Sequence, residues 1–397
     1  MHTERNKMSR KLYLDSNLLI IYSITLVAIQ GVSSLTPAFP EIKDSFGISP
    51  EEVGLLITFF TLPGVILTPV LGVLADRYGR KKILVPALML FGVAGGLCFF
   101  AESFTMLLFL RFLQGVGAAS LGSLNVTLIG DIFSGHDRGA AMGYNASVLS
   151  MGTFSYPLIG GVLASIGWNY PFVLPPLAII VGMIVLFKLK NPEPAKETTL
   201  KEYFIATWKI VSQRSILGLF SVSVFTFIIL YGPYLSYFPF LIGDHFDQPP
   251  HIIGVLMSSA SLATVFSSAQ MGKFIKRFSE RRLMLLACIF YFSSMVMTPF
   301  IDNVWLLIIP SVLFGIGQGM NLPSLLSLLT SLAPMNQRGA VMSFNGMVLR
   351  LGQTLGPLVM APIYALWGLN GTFFMGAVIA VLMFFMMFIL IKPKLVK

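Results

Sequence analysis

The sequence predicts an all-α integral membrane protein whose twelve transmembrane helices form two pseudo-symmetric six-helix bundles. Fifty-five per cent of its 397 residues are hydrophobic, only 11% are charged, and the mean hydropathy is +0.81. About a quarter of the residues of a soluble domain are charged. Apolar stretches of about 20 residues, the length that crosses a hydrocarbon core as a helix, recur along the chain. The chain also falls onto itself when shifted by 200 positions.

That shift places Gly54-Leu55-Leu56 over Gly254-Val255-Leu256, Gly72 and Arg77 over Gly272 and Arg277, and Gly115 and Gly117 over Gly315 and Gly317. Arg138-Gly139-Ala140, Asn145, Gly152 and Pro157 fall over Arg338-Gly339-Ala340, Asn345, Gly352 and Pro357. A duplicated membrane unit implies transport, because two halves can rock about a site at their interface and open it to alternate sides.

In chain order, spans are expected at 18–39, 53–74, 83–101, 104–130, 140–164 and 169–187, and again at 216–241, 252–272, 283–300, 304–332, 339–363 and 368–391. Residues 1–187 and 216–397 are then the two bundles, joined by 188–215. In that linker Pro192 and Pro194 stop the sixth helix, and Thr199 and Glu202 have capping-box spacing. Leu200, Tyr203, Phe204, Thr207, Trp208 and Val211 recur at helical intervals, as in a helix lying on the membrane surface. A β-barrel needs strict alternation, which Leu283 to Met297 lacks.

Charge sets the expected orientation. Of the 27 Lys and Arg, 24 fall in the segments on one side, only Lys43 lies on the other, and Arg111 and Arg350 lie within spans. The positive-inside rule then puts both termini in the cytoplasm of a cell (inner) membrane. The net charge of +10 serves topology and anionic lipid headgroups, not nucleic acid, since the basic residues are scattered over short loops. Cys98 and Cys288 sit in apolar spans, and His2, His136, His245 and His251 lie at termini or loops, so no disulfide, metal site or cofactor is expected. The basic start runs into a full-length span without a cleavage pattern, and no phosphate-binding loop occurs.

Between the second and third spans stands GVLADRYGRKK, Gly72 to Lys82. Gly72 and Gly79 allow close packing and a tight turn, Asp76 can pair at a helix end, and Arg77 and Arg80 anchor the loop. This segment resembles the loop motif of the major facilitator superfamily, which implies the twelve-span fold and a conformational latch. Its second copy, Gly272 to Arg282, has Lys276 where Asp76 stands, so only the first copy is competent.

The fourth span carries RFLQGVGAA, Arg111 to Ala119, and resembles the twelve-span drug:proton antiporter branch. On a helix Arg111, Gln114, Ala118 and Asn125 share one face. Gly152, Pro157, Gly160 and Gly161 of the fifth span resemble an element associated with exporters, departing from it at Tyr156 where the family has glycine. The second half keeps that glycine, as Gly356.

Polar stripes propose the substrate path. Ser23, Val27, Gln30, Ser34, Pro37 and Glu41 follow one helical face of the first span, and Phe227, Tyr231, Tyr234 and Phe238 stripe the seventh. Asn145, Gln318, Asn321, Asn345 and Gln353 join the candidates, with interhelical hydrogen bonding as their competing use. All 17 acidic residues fall in loops or at span ends, which leaves Glu41 first and Asp131 second as proton-coupling groups. Arg350 lies near mid-membrane, and its repeat counterpart is the uncharged Ser150.

These features describe a secondary transporter that exports a small amphipathic or metabolite-like compound by alternating access, in antiport with protons. The alternative is an exporter of an anionic metabolite or sugar without an intramembrane coupling carboxylate, and a more remote one is a transporter-like receptor. An enzyme would need a buried base, and no His, Asp or Glu is placed mid-membrane. The expected partners are a small-molecule substrate, protons and lipids, and the expected state is a monomer.

Overall fold

The computed structural model describes residues 12–189, 212–333 and 338–390. Asp15 caps the first helix, its carboxylate accepting from the backbone N–H of Asn17 (2.9 Å) and Leu18 (3.2 Å). That span, α1 (Ser16–Phe46), breaks into a tighter turn at Thr36–Ala38, where Pro37 offers no N–H. A capping box between Ser49 and Glu52 starts α2 (Pro50–Tyr78). The turn into α3 (Arg80–Phe100) is made at Gly79, whose φ of 98° suits glycine alone. The first half continues with α4 (Phe104–Ile132), α5 (Gly135–Ala164) and α6 (Tyr170–Lys188).

The second half repeats the pattern with α7 (Arg214–His245), α8 (Pro250–Ala269), α9 (Glu280–Phe300) and α10 (Val304–Leu332). Around Pro233, α7 widens into π turns over Leu230–Tyr237. The last helical segment, Arg338–Leu390, is bent at Gly368 (φ 66°, ψ −165°) and therefore holds two spans, α11 (338–367) and α12 (369–390). The bend falls where the sequence places the last boundary, and the chain crosses twelve times. The surface helix expected in the linker falls on 190–211, outside the described residues.

The bundles meet through two crossings that the repeat makes equivalent. On one side α2 packs on α11, where a Cβ at Gly54 would sit 3.2 Å from Pro357. On the other α8 packs on α5, where a Cβ at Gly254 would collide with the Pro157 carbonyl. Thr58 donates its hydroxyl to the Thr354 carbonyl (3.4 Å), and Ser258, 200 positions later, donates to the Phe154 carbonyl (2.7 Å). Thr61 and Thr354 share a further hydroxyl contact at 2.9 Å.

Between helices in lipid, small residues and hydroxyls provide the attraction that hydrophobicity does not. The contacts begin at the end bearing Glu41 and Asp44, where Lys43 bridges to Asp244 at 2.7 Å, and reach the level of Gly346, which faces Thr68 at mid-span. At the opposite, basic end a Cβ at Gly72, Gly139 or Gly143 would meet open space. The bundles are closed at the acidic end and parted at the basic end.

Enlarging one crossing should therefore open the acidic end. Replacing Lys43 and Asp244 by cysteines gives a pair whose cross-linking reports closure. Adding Gly254→Leu should cut that yield at least about tenfold, the equivalent of about 1.4 kcal/mol. Gly122→Ala, whose added Cβ meets nothing within 4 Å, should leave it unchanged.

Candidate functional site

Arg350 is the charged group that spans the two bundles at mid-depth. It projects from α11 toward Gly64 at the middle of α2, where an added Cβ would lie 3.0 Å from its side chain. Nη1 donates to Gln353 Oε1 (3.1 Å), and Nη2 donates to the carbonyl of Ala118 in the opposite bundle (3.4 Å). Tyr231 of α7 is its electrostatic neighbour. None of the ion pairs among the described residues involves Arg350, so its partners are neutral dipoles. Arg350, Gln353 and Tyr231 are thus gathered as the sequence proposes.

Other candidates go into packing. Tyr234 is buried, stacks flat on Phe314 with ring centres 4.4 Å apart, and donates to the Met257 carbonyl (3.3 Å). Asn125 donates to the Thr25 hydroxyl, which donates in turn to Asn145 Oδ1 (2.6 Å), tying α4, α1 and α5 together. In the second half Asn321 donates to Thr226 (2.7 Å), and Gln318 accepts from the Tyr291 hydroxyl. Asn345 is buried at 2% exposure. These amides take the competing role of interhelical bonding.

The first-span stripe also points elsewhere. Val27, Gln30, Ser34 and Pro37 are buried. Gln30 and Ser34 line a small cavity within the first bundle beside Arg111, Gln114 and Phe172. Arg111 is 1% exposed, donates through Nε to the Leu56 carbonyl (3.3 Å) and through Nη1 to Gln114 Oε1 (2.7 Å), and sits 4.2 Å over the Phe60 ring. It is separate from the Arg350 region, since all the cavity residues belong to the first half.

At the basic end Arg80, 6% exposed, is held between Asp76 and Asp131, the latter at 3.1 Å. Arg77 is exposed and lies over the Tyr78 ring. Asp131 therefore belongs to the same cluster as the loop motif. Glu41, at the end of the buried stripe, stands exposed at the acidic mouth.

In α5, Gly160 and Gly161 make the close approaches: a Cβ at Gly160 would collide with the Ser34 carbonyl, and one at Gly161 would lie 2.6 Å from the Pro250 carbonyl. Gly152 abuts Leu26 and Ile29, with half-buried Tyr156 lying against it, so tight packing persists on both sides of the residue that departs from the family pattern.

Thr25, Thr226, Thr58 and Ser258 are the functional positions that sequence reasoning missed. A hydroxyl at both 58 and 258 is a signal the repeat already carries.

A model of the Major Facilitator Superfamily matches residues 21–249 and 234–397. The chain is 29% identical over 362 residues to a bacillibactin exporter of Bacillus subtilis (strain 168), covering 87% of this chain and 89% of that protein. It is 24% identical over 361 residues to the quinolone resistance protein NorA of Staphylococcus aureus (strain MRSA252), covering 88% and 90%. Among solved structures it is similar to a D-xylose–proton symporter, with a TM-score of 0.80, 14% identity and 96% and 99% of the two chains covered. It is also similar to a bacterial homologue of the human lysosomal transporter Spinster in an inward-facing, unoccupied conformation, with a TM-score of 0.76, 17% identity and 96% of each chain covered. With its duplicated six-helix bundles meeting around Arg350, the chain is a transporter and belongs to the Major Facilitator Superfamily.

Proposed function

We propose that this transporter exports a small amphipathic or metabolite-like compound from the cytoplasm, in exchange for protons, and that the part of the substrate facing Arg350 is anionic. The observation that carries the reading is the position of Arg350. It is a mid-depth cation with neutral acceptors only, one of them, Ala118, in the bundle that must move relative to it. A negatively charged ligand group offers a stronger partner than a carbonyl and is available when the path is loaded. The relatives named as an exporter and as a resistance protein support the outward direction. In the positive-inside orientation, the parted basic end faces the cytoplasm and is ready to load.

Asp131 is the better placed of the two proton-coupling acids. It shares Arg80 with Asp76, so protonation of either acid frees part of the arginine's hydrogen bonding, whereas Glu41 is exposed to bulk solvent. The Asp76, Arg80 and Asp131 cluster acts as the latch, setting the balance of conformations rather than substrate affinity.

Two experiments in proteoliposomes check this. Arg350→Gln should weaken binding of anionic ligands about 10- to 100-fold, the range of one or two charge-assisted bonds, and Arg350→Lys should retain part of it. Unchanged affinity in a folded Arg350→Gln protein with a strongly lowered Tm would assign Arg350 to structure instead.

Asp76→Asn should slow transport while changing substrate binding less than about tenfold, about 1.4 kcal/mol. Loss of binding with normal switching, read from cysteine accessibility at both mouths, would contradict the latch.

A further inference from the structure

We infer that Arg111, Gln114 and Gln30 bind a small inorganic anion of halide size inside the first bundle, apart from the substrate path. The three side chains are 1%, 0% and 1% exposed and line one cavity with Ser34, Phe172 and Pro175. Each brings an N–H group without a protein acceptor: Nη2 of Arg111, Nε2 of Gln114 and Nε2 of Gln30. Gln114 has its Oε1 held by Arg111, so Nε2 is the end of its amide that remains to donate. Ser34 is no acceptor for its own hydroxyl's neighbours to share, because that hydroxyl donates to the Gln30 carbonyl at 2.6 Å. Cys98, the titratable group nearest Arg111, directs its Sγ to the Ala94 carbonyl (3.3 Å).

Charge makes the choice of ligand. The ion pairs among the described residues involve Lys43 and Arg80, so no carboxylate neutralises Arg111. The Phe60 face and the Leu56 carbonyl only partly offset a fully desolvated guanidinium. A water molecule has two lone pairs for three donors and carries no charge. A halide accepts from all three and cancels the arginine's charge. Size then limits the class: the cavity is about 10 Å³, room for one water-sized particle and too small for phosphate or an organic carboxylate.

The test uses the full-length protein. Sodium bromide is titrated against sodium gluconate at constant ionic strength while Tm is followed, and crystals grown in bromide are examined for bromine anomalous scattering. A saturable rise in Tm and a bromine peak between Arg111 and Gln30 are expected. Gln30→Leu and Gln114→Leu should each raise the half-saturating bromide about tenfold or more, and Arg111→Gln should abolish the saturable response. A merely linear salt effect on the wild-type protein, a bromine peak elsewhere, or an ordered water in the cavity at saturating bromide would overturn the proposal. Failure of Arg111→Gln to fold would not protect it, because the wild-type protein decides the outcome.

Discussion

The architecture depends on two places where a glycine of one bundle lies against a proline turn of the other. Gly54 meets Pro357 and Gly254 meets Pro157, and the pairs are related by the 200-residue repeat, so each half supplies one glycine and one proline. In a bilayer, lipid is as apolar as leucine, and helices gain little by burying apolar faces against one another. They gain from backbone approach and from hydroxyl-to-carbonyl bonds, and the two crossings provide both. Each accepting carbonyl, Thr354 or Phe154, stands three residues before a proline, where the helical ladder is locally broken.

This arrangement explains why the molecule can be both firm and mobile. The contacts of the crossings gather between the acidic mouth and mid-membrane, and the exposed Lys43–Asp244 pair adds little beyond them, since such pairs contribute about 0–1 kcal/mol. Nothing comparable clamps the basic end, where glycines of α2 and α5 face open space. Rocking about the crossings would exchange the open end for the closed one, and Arg350, bonded to Ala118 across the interface, lies near the pivot and must change partners as the bundles move.

Much of this was legible in the sequence because membrane helices follow hydropathy and the repeat fixes which helices correspond. Even the last boundary was readable: the 53-residue helical run bends at Gly368, where the sequence places the start of the final span. The site was less legible. A polar stripe says which face of a helix is polar, but not whether that face meets a neighbour or an aqueous path. Gln30 and Ser34 turned to Arg111 inside the bundle, and Asn125 and Asn145 found Thr25. Thr25 itself lay hidden among apolar neighbours, because one threonine gives no periodic signal. Asp131 was read as a lone acid; its partner Arg80 is 51 residues away and becomes visible only when α2, α3 and α4 are assembled.

The two intramembrane arginines show how one residue type takes different roles through its surroundings. Arg111 is enclosed by a single bundle, with an aromatic face, a carbonyl and an amide fixed around it, and nothing in rocking needs to alter that cage. Arg350 is part-buried and has an acceptor in each bundle, so its hydrogen bonding differs between conformations by construction. A ligand can shift an equilibrium only by its differential affinity for the two states. Charge at Arg350 can therefore couple binding to movement, whereas charge at Arg111 can set only the stability and internal field of the first bundle. The same desolvation cost that excludes arginine from most membrane helices thus has two separate answers in this chain, one closed and one open to exchange.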